Sequence, residues 1–286
     1  VSLLKNRLNI SMDVGNEGGG VIVDSGSNSK NLIGKTVGLA AGGMYAEYRC
    51  VKDSSCLIMS EGTSSFDAAS SFVNPLTALG FIETMKVENH KAIVHTAAAS
   101  NLGKMLVKIC KNDAIPLVNI VRSSKQVDIL KDLGAEFVYN MNDPSFFEDL
   151  VDAISKTDAT LGFDATGGGN NGKLVGQILT AMEIVADNKS KEYKMYGSDI
   201  YKQIYIYGVL DRNPTILKSS YGMYWGIGGW LLMPMIKKFG IEKFQTMKKR
   251  VVDEIKSTFE SNYTKIISFE EMIQPETIRS FSSQST

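Results

Sequence analysis

The chain has 286 residues, 43% hydrophobic and 22% charged, and its 31 basic and 31 acidic side chains cancel to a formal charge of zero. That length and a mean hydropathy of −0.06 describe an ordinary soluble globular protein with room for two domains. Balanced charge without a basic block leaves no electrostatic footprint for nucleic acid.

The first residues, VSLLKNRLNI, are too short and polar for a signal peptide. They lack an initiator methionine, and the chain closes on the polar RSFSSQST, so a fragment cut at both ends is expected. Residues 18–27, 34–40 and 44–51 alternate β-prone runs with turn signals, the rhythm of part of a small barrel. Cys50, Cys56 and Cys110 cannot build a disulfide framework, and Cys50 and Cys56 lack metal-knuckle spacing. Residues 63–85 predict two short helices separated at Asn74-Pro75.

From residue 91 short apolar strands alternate with helices whose apolar residues fall three and four apart, as at Leu102, Met105, Leu106 and Ile109. This alternation predicts a doubly wound parallel sheet covered on both faces. Residues 203–210, QIYIYGVL, are β-rich enough to serve as an edge strand. The most apolar stretch, 223–236, is too short for a membrane span and is broken by Pro234. It predicts a buried or interface helix, with an aromatic, glycine-rich helical segment over 221–230. Residues 222–260 add helices and 265–271 a last strand. A cytoplasmic protein without a membrane partner is expected.

The first strand of the alternating series leads into HTAAASNLGK. Set on the dinucleotide fingerprint G-x-G-x-x-G, this turn reads Ala98-x-Ser100-x-x-Gly103, with only the last glycine kept. By itself the turn leaves open whether it holds a pyrophosphate or makes a tight strand-to-helix connection. The next strand decides. It ends in Arg122, Ser123, Ser124 and Lys125, near the roughly 20-residue offset where an acid would read the ribose of NAD. Two cations and two hydroxyls suit a 2′-phosphate instead, which predicts NADPH over NADH.

With these residues in view, the chain resembles the medium-chain dehydrogenase/reductase superfamily in its zinc-independent branch, near the quinone oxidoreductases and enoyl-thioester reductases. The stretches GNEGGGVIVDSGS, GGMYAEYRCV, AASSFVNPLTALGFIE, LVNIVRS, LKDLGAEFVYN and GFDATGGG carry the resemblance in order and spacing. It implies a Rossmann-type doubly wound sheet beside a partial GroES-like barrel, with domains over 1–73, 74–258 and 259–286. It also implies an NADPH-dependent oxidoreductase passing hydride to a quinone or an activated C=C bond of a small molecule, and a homodimer paired through an edge strand of the sheet such as 203–210. The alternatives are an enoyl-thioester reductase and a nonenzymatic, crystallin-like NADPH-binding protein. Zinc alcohol dehydrogenases carry Gly-His-Glu where this chain has Gly15-Asn16-Glu17, and His90 and His95 are its only histidines, so no metal site is expected.

By the same resemblance, Asn74 and Thr77 lie near the nicotinamide and its phosphates. Ser100, Asn101 and Leu102 form the pyrophosphate turn, Arg122 meets the 2′-phosphate with Lys125 beside it, and Thr166, Gly167 and Gly168 lie under the nicotinamide ribose. Tyr207, Gly208 and Val209 end the next strand. Quinone oxidoreductases place a tyrosine where this chain has Met141, with Tyr139 two residues away. Tyr45, Tyr48, Tyr221 and Tyr224 miss the family's proton-donor position, so no catalytic acid is assigned. His95, at a strand end, reads as a residue that packs or that supports the site from behind, rather than as a ligand or base.

Overall fold

The computed structural model describes residues 8–190 and 192–282. The chain divides into two compact units, one of residues up to Pro75 with those from Lys248 onward, the other spanning Leu76–Met247.

In the first unit β1 (Gly18–Val21) pairs antiparallel with β2 (Thr36–Leu39), and β2 with β3 (Leu57–Ile58). Helix α1 (Ser65–Ala69) starts in a capping box, with the Ser64 hydroxyl accepting from Asp67 N–H at 3.1 Å. It lies directly on the sheet, and a Cβ at Gly38 would stand 2.5 Å from Ala68 O. Glycine is therefore what lets helix and strand approach. Val37, Leu39 and Cys56 form a small core with Ile22, Met44, Val51 and Ile58 around it. The β-prone run 44–51 contains no strand.

Helix α2 (Val73–Val87) carries Pro75 in its first turn, so the break between the two expected helices falls before Asn74-Pro75 rather than at it. The strand expected over 265–271 is absent. Ser268 and Glu271 instead form a capping box that opens α9 (Phe269–Met272), followed by α10 (Pro275–Ser282). The β-branched run before Ser268 lacks a neighbouring strand to pair with, and the cap decides.

The second unit holds the doubly wound sheet that the alternation predicts. In chain order it runs β4 (Ile93–Thr96), α3 (Asn101–Asn112), β5 (Leu117–Val121), α4 (Ser124–Asp132), β6 (Phe137–Asn140), α5 (Phe146–Thr157), β7 (Leu161–Asp164), α6 (Leu174–Lys189), β8 (Lys202–Ile206) and β9 (Trp225–Gly229). The spatial order is β6-β5-β4-β7-β8-β9, every pairing parallel. The chain thus reverses its direction of winding between β4 and β7. Strands β4 and β5 are buried throughout because helices cover both faces, and the core gathers Val94, Val118, Ile120, Leu150, Ile154, Ile178, Leu179 and Ile204.

Two expectations fail here. Residues 225–229 form a strand rather than a helix, and the helix of the apolar stretch, α7 (Leu232–Phe239), begins only after it. The segment 203–210 is consequently not the edge, since β9 covers β8 on its outer side. WGIGG is a poor helix former, and pairing with β8 satisfies its backbone groups. Helix α8 (Ile241–Asp253) follows α7. No helix among the described residues is long and apolar enough to cross a membrane.

Candidate dinucleotide site at the carboxyl edge of the sheet

In an open parallel sheet, ligands bind beyond the carboxyl ends of the strands where the winding reverses. The turns that follow β5, β4, β7 and β8, four neighbouring strands, carry all but two of the predicted site residues.

The turn after β4 sits at the reversal. Ala97 adopts a left-handed φ of +49°, a costly conformation for alanine, and Ala98 N–H donates to Ile120 O of β5 at 3.2 Å. Ser100 caps α3, its hydroxyl accepting from Gly103 N–H at 3.2 Å. Asn101 and Leu102 form the first turn of that helix, where amide N–H groups and the positive end of the helix dipole suit an anion. A Cβ at Gly103 would stand 2.1 Å from Ala98 O, so the surviving fingerprint glycine is the one that geometry requires. Gly103→Ala is expected to displace the turn at a cost of about 1–3 kcal/mol, read as a lower urea midpoint together with weaker dinucleotide binding. Unchanged values for both would show that the turn tolerates a side chain.

The turn after β5 presents exposed Arg122 and Lys125, and among the described residues neither takes part in an ion pair. The backbone of Arg122 is held at both ends: its N–H donates to Gln126 Oε1 at 3.1 Å, and its carbonyl accepts from Asn142 Nδ2 at 2.8 Å. The guanidinium is left for solvent or a ligand.

The turn after β7 is organised by Asp164, a buried carboxylate that the sequence reading did not single out. Its Oδ1 accepts from Thr96 Oγ1 at 2.6 Å, Thr166 Oγ1 at 2.7 Å and Thr166 N–H at 3.1 Å, while Oδ2 accepts from Gly167 N–H at 2.7 Å. Thr96 Oγ1 in turn accepts from Ala165 N–H at 2.9 Å. This network ties the ends of β4 and β7 together across the reversal. The signal in the sequence was an acid closing an apolar strand, which demands several donors. Gly167 also accepts from Thr215 Oγ1 at 2.6 Å, and Asp211 N–H donates to Thr166 O at 2.9 Å, so the 166–168 turn packs on the segment after β8. Gly168 N–H closes the turn onto Thr166 O at 2.9 Å.

That segment begins with Tyr207, Gly208 and Val209, the last exposed. Tyr207 Oη lies 2.8 Å from His95 Nε2, and the planes of the two rings are nearly parallel. Burial drives the His95 imidazole pKa down to about 3, and burial followed by the charge of Asp164 raises that of the Tyr207 phenol. Phe81 of α2 stacks on Phe163 at 3.9 Å and meets Tyr207 edge-on at 4.8 Å. Tyr205 Oη donates to Glu88 Oε1 at 2.8 Å, so α2 runs opposite to β8. Thr77, one turn before Phe81 on the same face, is thus placed towards the carboxyl edge. Asn74 lies in the first turn of α2, in the first unit.

Several tyrosines are accounted for. Tyr221 is buried in the core and its hydroxyl accepts from Lys218 N–H at 2.6 Å, whereas Tyr45, Tyr48 and Tyr224 are exposed. Glu17, beside Asn16, accepts from Val73 N–H at 2.7 Å; burial raises its pKa and the amides of Val73 and Phe72 oppose that. Among the described residues no group of three or more His, Cys, Asp or Glu side chains could hold a metal ion.

No family model matches the chain. It is 27% identical over 263 residues to a Caenorhabditis elegans protein named mitochondrial enoyl-[acyl-carrier-protein] reductase, covering 85% of this chain and 72% of that one. Among solved structures, a Mesorhizobium loti protein assigned as an NADPH:quinone reductase superimposes with a TM-score of 0.75 at 27% identity, over 93% of this chain and 74% of the other. Both likenesses support the medium-chain dehydrogenase/reductase superfamily. The superfamily fold is also that of a Candida tropicalis enoyl thioester reductase, TM-score 0.65 at 18% identity over 88% and 71% of the two chains. In this chain the turn at Ser100–Leu102, the cations at Arg122 and Lys125, and the strand ends at 166–168 and 207–209 occupy one edge of one sheet.

Proposed function

We propose that the chain is an NADPH-dependent oxidoreductase that passes hydride to a quinone or an activated C=C bond of a small molecule, without zinc. The observation that carries this reading is the end of β5, where Arg122 and Lys125 stand unpaired and no carboxylate precedes Asp128. The left-handed turn at Ala97, the glycine demanded at position 103 and the free cations fit a dinucleotide with a 2′-phosphate. When bound, its reduced nicotinamide supplies the hydride. Ser100, Asn101 and Leu102 would hold the pyrophosphate, Arg122 and Lys125 the 2′-phosphate. Thr166, Gly167 and Gly168 with Tyr207, Gly208 and Val209 would line the nicotinamide end, and Thr77 would approach it from α2.

The enoyl-thioester reading has its own support in the likeness to the Caenorhabditis elegans reductase over 85% of the chain. Parallel assays of NADPH oxidation with a quinone and with crotonyl thioester separate the two. Turnover with neither, alongside tight NADPH binding, would leave a binding protein. Pairing of two copies through the free edge of β9 fits this reading, as does a zinc content well below one per chain. A strict monomer in light scattering or one tightly held zinc in elemental analysis would count against those two points.

A further inference from the structure

The contact between His95 and Tyr207 has one hydrogen too many. A neutral imidazole carries one N–H and a phenol one O–H, yet a single hydrogen bond joins them, Nε2 to Oη at 2.8 Å. One donor is therefore left over. If the phenol donates to Nε2, the remaining proton sits on Nδ1, which is buried and has no hydrogen-bond partner. If Nε2–H donates to the phenol oxygen, Nδ1 keeps only a lone pair and the O–H of Tyr207 is released. A buried unpaired N–H is the costlier state, whereas an unpaired acceptor is better tolerated.

The second arrangement also puts the spare proton where a ligand can use it. Tyr207 is only half-buried and lies one residue beyond Ile206, the partner of Asp164 at the last paired position of β7. Its hydroxyl reaches over β7 to His95 on β4, so it stands at the reversal of winding. Phe81 and His95 flank the ring and hold it there.

We infer that His95 is a positioning residue which, as the Nε2–H tautomer, donates to Tyr207 and turns the Tyr207 O–H outward as a hydrogen-bond donor to an oxygen of the bound cofactor or substrate. Burial keeps both groups neutral over the working range, so the arrangement does not switch with pH. The inference rests on the proposed dinucleotide site, but half of its test does not.

His90 and His95 are the only histidines, so ¹⁵N-labelled protein gives two imidazole patterns in long-range N–H correlation spectra, assigned with His95→Gln. The expected pattern for His95 in the ligand-free protein is a protonated Nε2 and an unprotonated Nδ1. A protonated Nδ1 overturns the inference whatever the protein binds. Tyr207→Phe then identifies the acceptor. NADPH affinity about three- to tenfold weaker assigns it to the cofactor, and an unchanged affinity with a similarly raised KM for the electron acceptor assigns it to the substrate. A folded Tyr207→Phe protein unchanged in both overturns the outward donor. Failure of the unaltered protein to bind NADPH would instead overturn the proposed function and leave the tautomer result standing.

Discussion

Arg122→Ala is expected to weaken NADPH binding about ten- to a hundredfold while leaving NADH binding nearly unchanged. The 2′-phosphate brings close to two negative charges to the end of β5. There the guanidinium is exposed, free of ion pairs, and mounted on a backbone held by Gln126 and Asn142. A planar fork can grip that phosphate with two charge-assisted hydrogen bonds, and losing one such contact costs roughly 1.5–3 kcal/mol. NADH has no phosphate there, so discrimination between the cofactors collapses. Lys125→Ala should do less, because a flexible ammonium in full solvent contributes little. Paired titrations of both cofactors against the unaltered and Arg122→Ala proteins decide it. Equal weakening of both, or no change in either, would remove the main support for NADPH.

Lys202→Met should cost the second unit about 3–5 kcal/mol of stability, at the opposite, amino end of β8. Lys202 is fully buried, and its ammonium donates to Glu183 of α6, to Ser198 Oγ at 3.0 Å and to Ile200 O at 2.9 Å. Glu183 also accepts from Ser198 N–H at 2.7 Å and Ser198 Oγ at 2.6 Å. Removing the lysine strands a buried carboxylate, and that penalty dominates the loss. A double variant, Lys202→Met with Glu183→Leu, should recover much of it because the stranded charge is gone. Urea unfolding reads both, and a single-variant loss below about 1 kcal/mol would show that water reaches the pair. The acid limb carries the same information. Burial would raise the Glu183 pKa, but the bonds from Lys202 and Ser198 outweigh it and hold it below its usual 4.5. Its contribution is therefore complete above about pH 4.5, and is lost as the pH falls through the lowered native value. Glu183→Gln should flatten that part of the stability profile.

Much of the second unit was legible because its cues are local. Apolar runs of strand length alternating with helical periodicity over residues 91–206 depend only on neighbours in sequence, and the elements appear where the pattern puts them. Errors came where short-range cues conflicted with partners. Residues 265–271 are β-branched and apolar enough for a strand, but none of the strands pairs with them and the Ser268–Glu271 cap starts a helix. WGIGG has no periodicity, and only the exposed side of β8 makes it a strand.

The candidate site divides in the same way. Arg122, Lys125, Ser100 and Gly103 were readable because charge, capping chemistry and spacing from a strand end are properties of the chain itself. Asp164 was not, since its partner Thr96 lies 68 residues away, and neither was the pairing of His95 with Tyr207, 112 residues apart. The sequence by itself determined that the chain folds as a doubly wound sheet and that its second strand ends in cations, because periodicity and charge are written residue by residue. Only the tertiary structure decided that β4 and β7 adjoin, that Asp164 locks their ends together, and that a buried imidazole meets a tyrosine hydroxyl above them. Those contacts are chosen by packing the core, a long-range condition that no local run of residues encodes.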